Sequence, residues 1–167
     1  GLCRYRLGDR VLAGERWLAT PRLSLLGRAD AVSDLVGEKL HADFVAAALR
    51  ESTEPSTRFS LLAPLPGAVG VPARYLLLLD RSAWNGEELS RRLEERLSES
   101  PQYRSARLMG QLAPVAVCLR KDAREIVEGW LVAQGRAWGA LKPAPLVTDP
   151  AAGAAIAARA LHGEAVQ

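Results

Sequence analysis

Two apolar runs, residues 57–63 and 73–80, are separated by a loop carrying Pro64, Pro66, Gly67 and Gly70. The Pro/Gly-rich break is a loop signal, and the two segments it separates read as a strand pair. Buried strands need covering layers, and the chain supplies them. Asn85 is placed to cap a helix in which Leu89, Leu93 and Leu97 form a stripe, with Glu87–Arg91 and Glu88–Arg92 at favourable i,i+4 spacing. Residues 41–51 read as another helix, with Phe44, Val45, Ala48 and Leu49 on one face. A Val-rich run at 113–119 reads as a third strand, with Cys118 in its apolar interior. Residues 122–134 form a further helix, with Asp122 and Glu125 at capping-box spacing, Ile126, Val127, Trp130 and Leu131 inward, and Gly135 at its end. The segment Lys142-Pro143-Ala144-Pro145 is extended, and the Ala-rich stretch 151–161 is expected as a weakly anchored helix. This order predicts an α+β fold, with a mixed or mostly antiparallel sheet flanked by helices.

The amino-terminal stretch differs in character. Residues 2–19 read as a twisted hairpin, Arg6, Val11 and Trp17 flanking a turn at Ala13-Gly14, followed by a short apolar run, Leu23 to Leu26. Gly27-Arg28-Ala29-Asp30 is short, polar and glycine-containing, as a hinge would be.

Composition bounds the function. With 167 residues, 49% hydrophobic and 25% charged, the chain can bury a core without disulfide or metal staples. No apolar stretch is long enough for a membrane helix, so no membrane partner is expected. Cys3 and Cys118 cannot make a zinc site or a disulfide scaffold, and no signal-peptide pattern precedes them, so a cytoplasmic location is expected. The net charge of +3 hides an uneven distribution: residues 1–28 carry six Arg against Asp9 and Glu15, whereas residues 29–56 carry six acids against Lys39 and Arg50. The bases form no run and no Phe/Tyr stacking platform accompanies them, which argues against a nucleic-acid partner. His41 and His162 are 121 positions apart, neither cysteine has a basic partner nearby, and no Walker-type or dinucleotide glycine loop is present. By catalytic inventory alone the chain reads as a non-enzyme.

Two polar clusters carry more information. In Tyr5-Arg6-Leu7-Gly8-Asp9, an aspartate after glycine at a strand–turn junction can offer both oxygens to vicinal hydroxyls, or satisfy backbone amides in an ordinary turn. The second cluster runs Gly27-Arg28-Ala29-Asp30-Ala31-Val32-Ser33-Asp34-Leu35-Val36-Gly37-Glu38-Lys39-Leu40. Together and in this order they resemble the acyl acid–amido synthetases of the auxin-responsive promoter family, adenylate-forming enzymes in which a "YRLGD" strand precedes "GRAD-VSDL-GEKL". Further along, Tyr103 to Pro114 resembles the family's tyrosine–arginine–alanine segment and following strand, and Gly135 to Lys142 its late glycine-to-lysine loop. The likeness covers about residues 1–148, all within the last third of such an enzyme. Arg10 stands where the family has an apolar residue, and no arginine follows Pro143.

The resemblance implies a division of the chain: residues 1–27 as the end of the large adenylation domain, 28–31 as hinge and 32–167 as the small, mobile carboxy-terminal lid. It implies ATP and Mg2+ as cofactors, and carboxylic-acid and amino-acid substrates. Asp9 would bind the ribose hydroxyls, with Tyr5 and Arg28 near the same nucleotide and Asp30 near the pivot. Lys39 and Lys142 would be the catalytic cations, Lys39 aimed at the phosphate or adenylate and Lys142 entering when the lid closes. The implied partner is the large amino-terminal domain, which holds the phosphate loop and the acyl pocket, so the isolated chain would be inactive. A non-catalytic interaction or regulatory module derived from the same domain is the alternative.

Overall fold

A computed structural model describes residues 9–28, 31–135 and 143–162. The chain divides after Ala31 into two compact units, Gly1–Ala31 and Val32–Gln167.

In the first unit, β1 (Asp9–Trp17) pairs antiparallel with β2 (Thr20–Arg28). The turn lies at Leu18-Ala19, where Trp17 pairs with Thr20 and Leu18 takes a left-handed backbone (φ 56°). The expected turn at Ala13-Gly14 is therefore corrected. Gly14 sits inside β1, where the register slips between Ala13 and Arg16. A glycine in a strand loosens it into a bulge without reversing it. The apolar run Leu23 to Leu26, expected to follow the hairpin, lies in its second arm. Arg22 lies over the Trp17 ring, 5.5 Å from its centroid.

The second unit is a three-layer sandwich. Its sheet, in the order β5-β6-β7, joins β5 (Ser60–Leu65) antiparallel to β6 (Arg74–Leu79), and β6 parallel to β7 (Ala116–Leu119). Alternation along the strands splits the core. Leu62, Tyr75, Leu77 and Leu79 meet α1 (Ala42–Ser52), α2 (Gly86–Leu97) and α3 (Pro101–Leu108) on one face. Leu61, Ala63, Leu76 and Leu78 meet α4 (Ala123–Ala133) and α5 (Pro150–His162) on the other. Burial on both faces is why these strands read as continuous apolar runs. A short ladder, β3 (Val32–Ser33) with β4 (Leu40–His41), leads into α1.

Local expectations fare unevenly. The Asn85 cap forms, its side-chain oxygen accepting from the Glu88 amide at 2.9 Å, and all three stripe leucines are buried. Arg91 pairs with Glu88 and Glu95, three and four residues away, while Arg92 takes the expected Glu88. At α4 the capping box does not form: Asp122 precedes the helix without a side-chain cap and receives two hydrogen bonds from Arg120 instead. The charged guanidinium outcompetes a backbone amide for the carboxylate. Helix α3 was not assigned from sequence, because only Tyr103 and Ala106 of its eight residues are buried and no apolar period shows. Helix α5 is firmly anchored: Ala152, Ile156, Ala157 and Ala160 are buried. A Cβ placed on Gly153 would stand 2.1 Å from the Pro64 carbonyl oxygen, so the helix backbone lies directly against β5.

Candidate functional site

The loop between β3 and β4 holds the end of the second motif, Asp34 to Lys39, and is built around a buried carboxylate. Glu38 is 0% exposed. One of its oxygens accepts from the Leu35 amide at 2.8 Å, and the other from the Val36 amide at 2.9 Å. The Tyr75 hydroxyl on β6 donates to the first of these oxygens and shares a 2.9 Å hydrogen bond with the Ser33 hydroxyl. Ser33 is also fully buried and Tyr75 is 1% exposed. A buried carboxylate persists only when its lone pairs are filled, and here two amides and a phenol fill them. Burial, reinforced by Glu38, pushes the Tyr75 phenol well above its ordinary range, so it stays a protonated donor.

The remaining loop contacts close the turn. The Asp34 carboxylate accepts from the Gly37 amide at 2.6 Å. Gly37 lies at φ 104°, a region open essentially to glycine. Lys39 follows at φ 47°, left-handed for a long side chain, a strain of order 1–3 kcal/mol that the surroundings must hold. Its neighbours Glu38 and Leu40 are both 0% exposed, while Lys39 itself is exposed. The ammonium is thus presented to solvent from a clamped loop.

A second polar cluster supports the same face of the sheet. Glu94 on α2 accepts from the Tyr103 hydroxyl, from Arg107 Nε and from the Val115 amide, each at 2.8 Å. It ties α2, α3 and the approach to β7 together. The Tyr103 ring lies 6.5 Å from Tyr75, and burial, with Glu94 beside it, raises the Tyr103 phenol too.

Among the nucleotide-site candidates, Asp9 and Arg28 come together: they are directly opposed residues at the open end of the β1–β2 hairpin. Nineteen positions apart in sequence, the two motifs meet there. Tyr5, Asp30 and Lys142 lie outside the described residues. Sequence reasoning passed over Ser33, Glu38 and Tyr75 as site-building residues. One signal was present: a tyrosine inside a fully apolar strand must find a partner for its hydroxyl. Nothing in the sequence names a partner 37 positions away. Among the described residues no group of three His, Cys, Asp or Glu side chains could hold a metal ion. None of the described helices is long and apolar enough to cross a membrane.

No family model matches the sequence, and no curated protein matches it. Solved structures do. A GH3.15 acyl acid amido synthetase matches with a TM-score of 0.71 at 19% identity, over 93% of this chain and 30% of that one. The AtGH3.15 acyl acid amido synthetase in complex with 2,4-DB matches with a TM-score of 0.70 at 18% identity, over the same shares. The chain spans under a third of the length of these proteins. At that identity the likeness is one of fold: the chain has the α+β fold of a segment of an acyl acid amido synthetase, consistent with a carboxy-terminal domain of that kind.

Proposed function

We propose that this chain is the carboxy-terminal part of an ATP-dependent ligase that adenylates a carboxylic acid and joins it to an amino acid through an amide bond. The observation that carries the reading is Lys39, held left-handed and solvent-facing at the end of the Ser33–Lys39 motif in a domain with an amido-synthetase fold. In the first step a carboxylate oxygen attacks the α-phosphorus of ATP and pyrophosphate leaves. In the second an amine attacks the acyl carbon and AMP leaves. The first step brings one anion onto another, so cations aimed at the developing charge lower its barrier. Lys39 and Lys142 are the residues assigned to that work.

Asp9 is assigned to the ribose, its carboxylate accepting from the two hydroxyls, with Tyr5 and Arg28 beside the same nucleotide. The opposition of Asp9 and Arg28 across the hairpin supports grouping them. Mg2+ would be carried on the nucleotide phosphates, where it neutralises phosphate charge. The acyl pocket and phosphate loop belong to a large amino-terminal partner domain, so residues 1–167 alone are expected to be inactive.

The test gives Lys142→Ala and Lys39→Ala variants of the complete ligase either ATP with free acid or a synthetic acyl-adenylate. Lys142→Ala is expected to slow the reaction from ATP about a hundredfold, roughly 3 kcal/mol, and the reaction from the adenylate far less. Equal loss from both starting points would overturn the assignment of Lys142. Full activity in both variants would favour a non-catalytic module instead.

A further inference from the structure

We propose that Glu38 is a positioning residue for Lys39, acting through the hydrogen-bonded cluster it forms with Tyr75, Ser33 and the amides of Leu35 and Val36. This rests on reading Lys39 as a phosphate-facing cation.

Three observations converge. Glu38 adjoins Lys39 and is fully buried, yet among the described residues it pairs with no cation; its hydrogen bonds run to the loop that carries Lys39 and to the sheet beneath. Tyr75 lies in the middle strand of the sheet, in the most enclosed layer of the fold, so the carboxylate is referenced to the rigid core. Lys39 occupies a backbone region that a long side chain leaves unless its neighbours forbid it, and those neighbours, Glu38 and Leu40, are both locked inside. A lysine held this way meets an anion with less ordering left to do than one on a free loop. Glu38 touches no substrate in this scheme; it fixes the direction of the residue that does.

The test has two arms. On residues 1–167, Glu38→Gln and Tyr75→Phe are compared with wild type by amide hydrogen exchange at Leu35 and Val36 and by trypsin cleavage after Lys39. Global unfolding is measured alongside to remove its contribution. Both variants should exchange and be cut at least tenfold faster at this loop and unchanged elsewhere; unchanged loop exchange and cleavage would overturn the proposal. Tyr75→Phe keeps the arm decisive if Glu38→Gln fails to fold. On the complete ligase, Glu38→Gln should lower kcat about tenfold with little change in the KM for ATP, and should add nothing to Lys39→Ala. Effects that multiply in the double variant would mean that Glu38 does not act through Lys39, and would also overturn the proposal. If the wild-type protein makes no amide, the ligase reading fails, while the first arm still decides whether Glu38 holds Lys39 in place.

Discussion

The Tyr75 hydroxyl donates to the Glu38 carboxylate, joining the central strand of the sheet to a loop that lies 37 residues earlier in the chain. Removing that hydroxyl leaves Glu38 one donor short and Ser33 without its partner, both in a site closed to water. Tyr75→Phe should destabilise residues 1–167 by about 1–3 kcal/mol. Urea denaturation measures it, and a change below about 0.5 kcal/mol would mean that the bond contributes little.

Alkaline pH should weaken the fold. Burial, followed by the nearby Glu38 for Tyr75 and Glu94 for Tyr103, raises both phenols above the value near 10 that they have in the unfolded chain. Because the folded-state values are raised, their contribution is complete below about pH 10. It is lost as pH climbs beyond that, at up to about 1.4 kcal/mol per pH unit for each tyrosine. Denaturation midpoints between pH 9 and 11.5 should fall in wild type and fall less steeply in Tyr103→Phe, the buried Cys118 thiol, also pushed up by burial, adding to the slope in both.

Gly153→Ala should loosen α5 from β5. The added Cβ would fall 2.1 Å from the backbone oxygen of Pro64, and neither helix nor strand can yield cheaply. Overpacking of this kind costs about 1–3 kcal/mol or more. Thermal unfolding of the variant should show a clearly lowered Tm, and an unchanged Tm would show that the helix slides freely.

Lys39→Gly should separate stability from function. Glycine accepts the left-handed backbone that lysine holds under strain, so the variant should be as stable as wild type or more so, by up to about 1 kcal/mol. In the complete ligase it should be as impaired as Lys39→Ala. A destabilised variant, by calorimetry, would mean that Lys39 packs productively where it stands.

Asp9→Ala should weaken nucleotide binding by the complete ligase. Losing charge-assisted hydrogen bonds to two ribose hydroxyls should cost about 1.5–3 kcal/mol, or roughly one to two decades in Kd. Titration calorimetry with AMP measures this, and the variant should discriminate less against deoxynucleotides. Equal AMP affinity in both proteins would leave Asp9 as a strand residue at the open end of the hairpin with no part in nucleotide binding.

What the sequence by itself determined is local or periodic. The apolar runs of β5 and β6, the leucine stripe and Asn85 cap of α2, and the buried face of α1 follow from side-chain spacing within a few residues, where neighbours are fixed by the chain. The two polar motifs, and Lys39 within the second, were equally legible as residue types in order. The tertiary structure decided everything that depends on competition between distant groups. It turned the hairpin at Leu18-Ala19, because a bulge absorbed Gly14; it gave Asp122 to Arg120 in place of a helix cap; and it seated the alanine-rich α5 against Pro64. Above all it gave Glu38 its meaning. In sequence that carboxylate is one half of a Glu-Lys pair that could lie in solvent, and only packing against Tyr75 buries it and turns Lys39 outward. A buried polar group must find a partner, but chain order does not say which one; the folded core does.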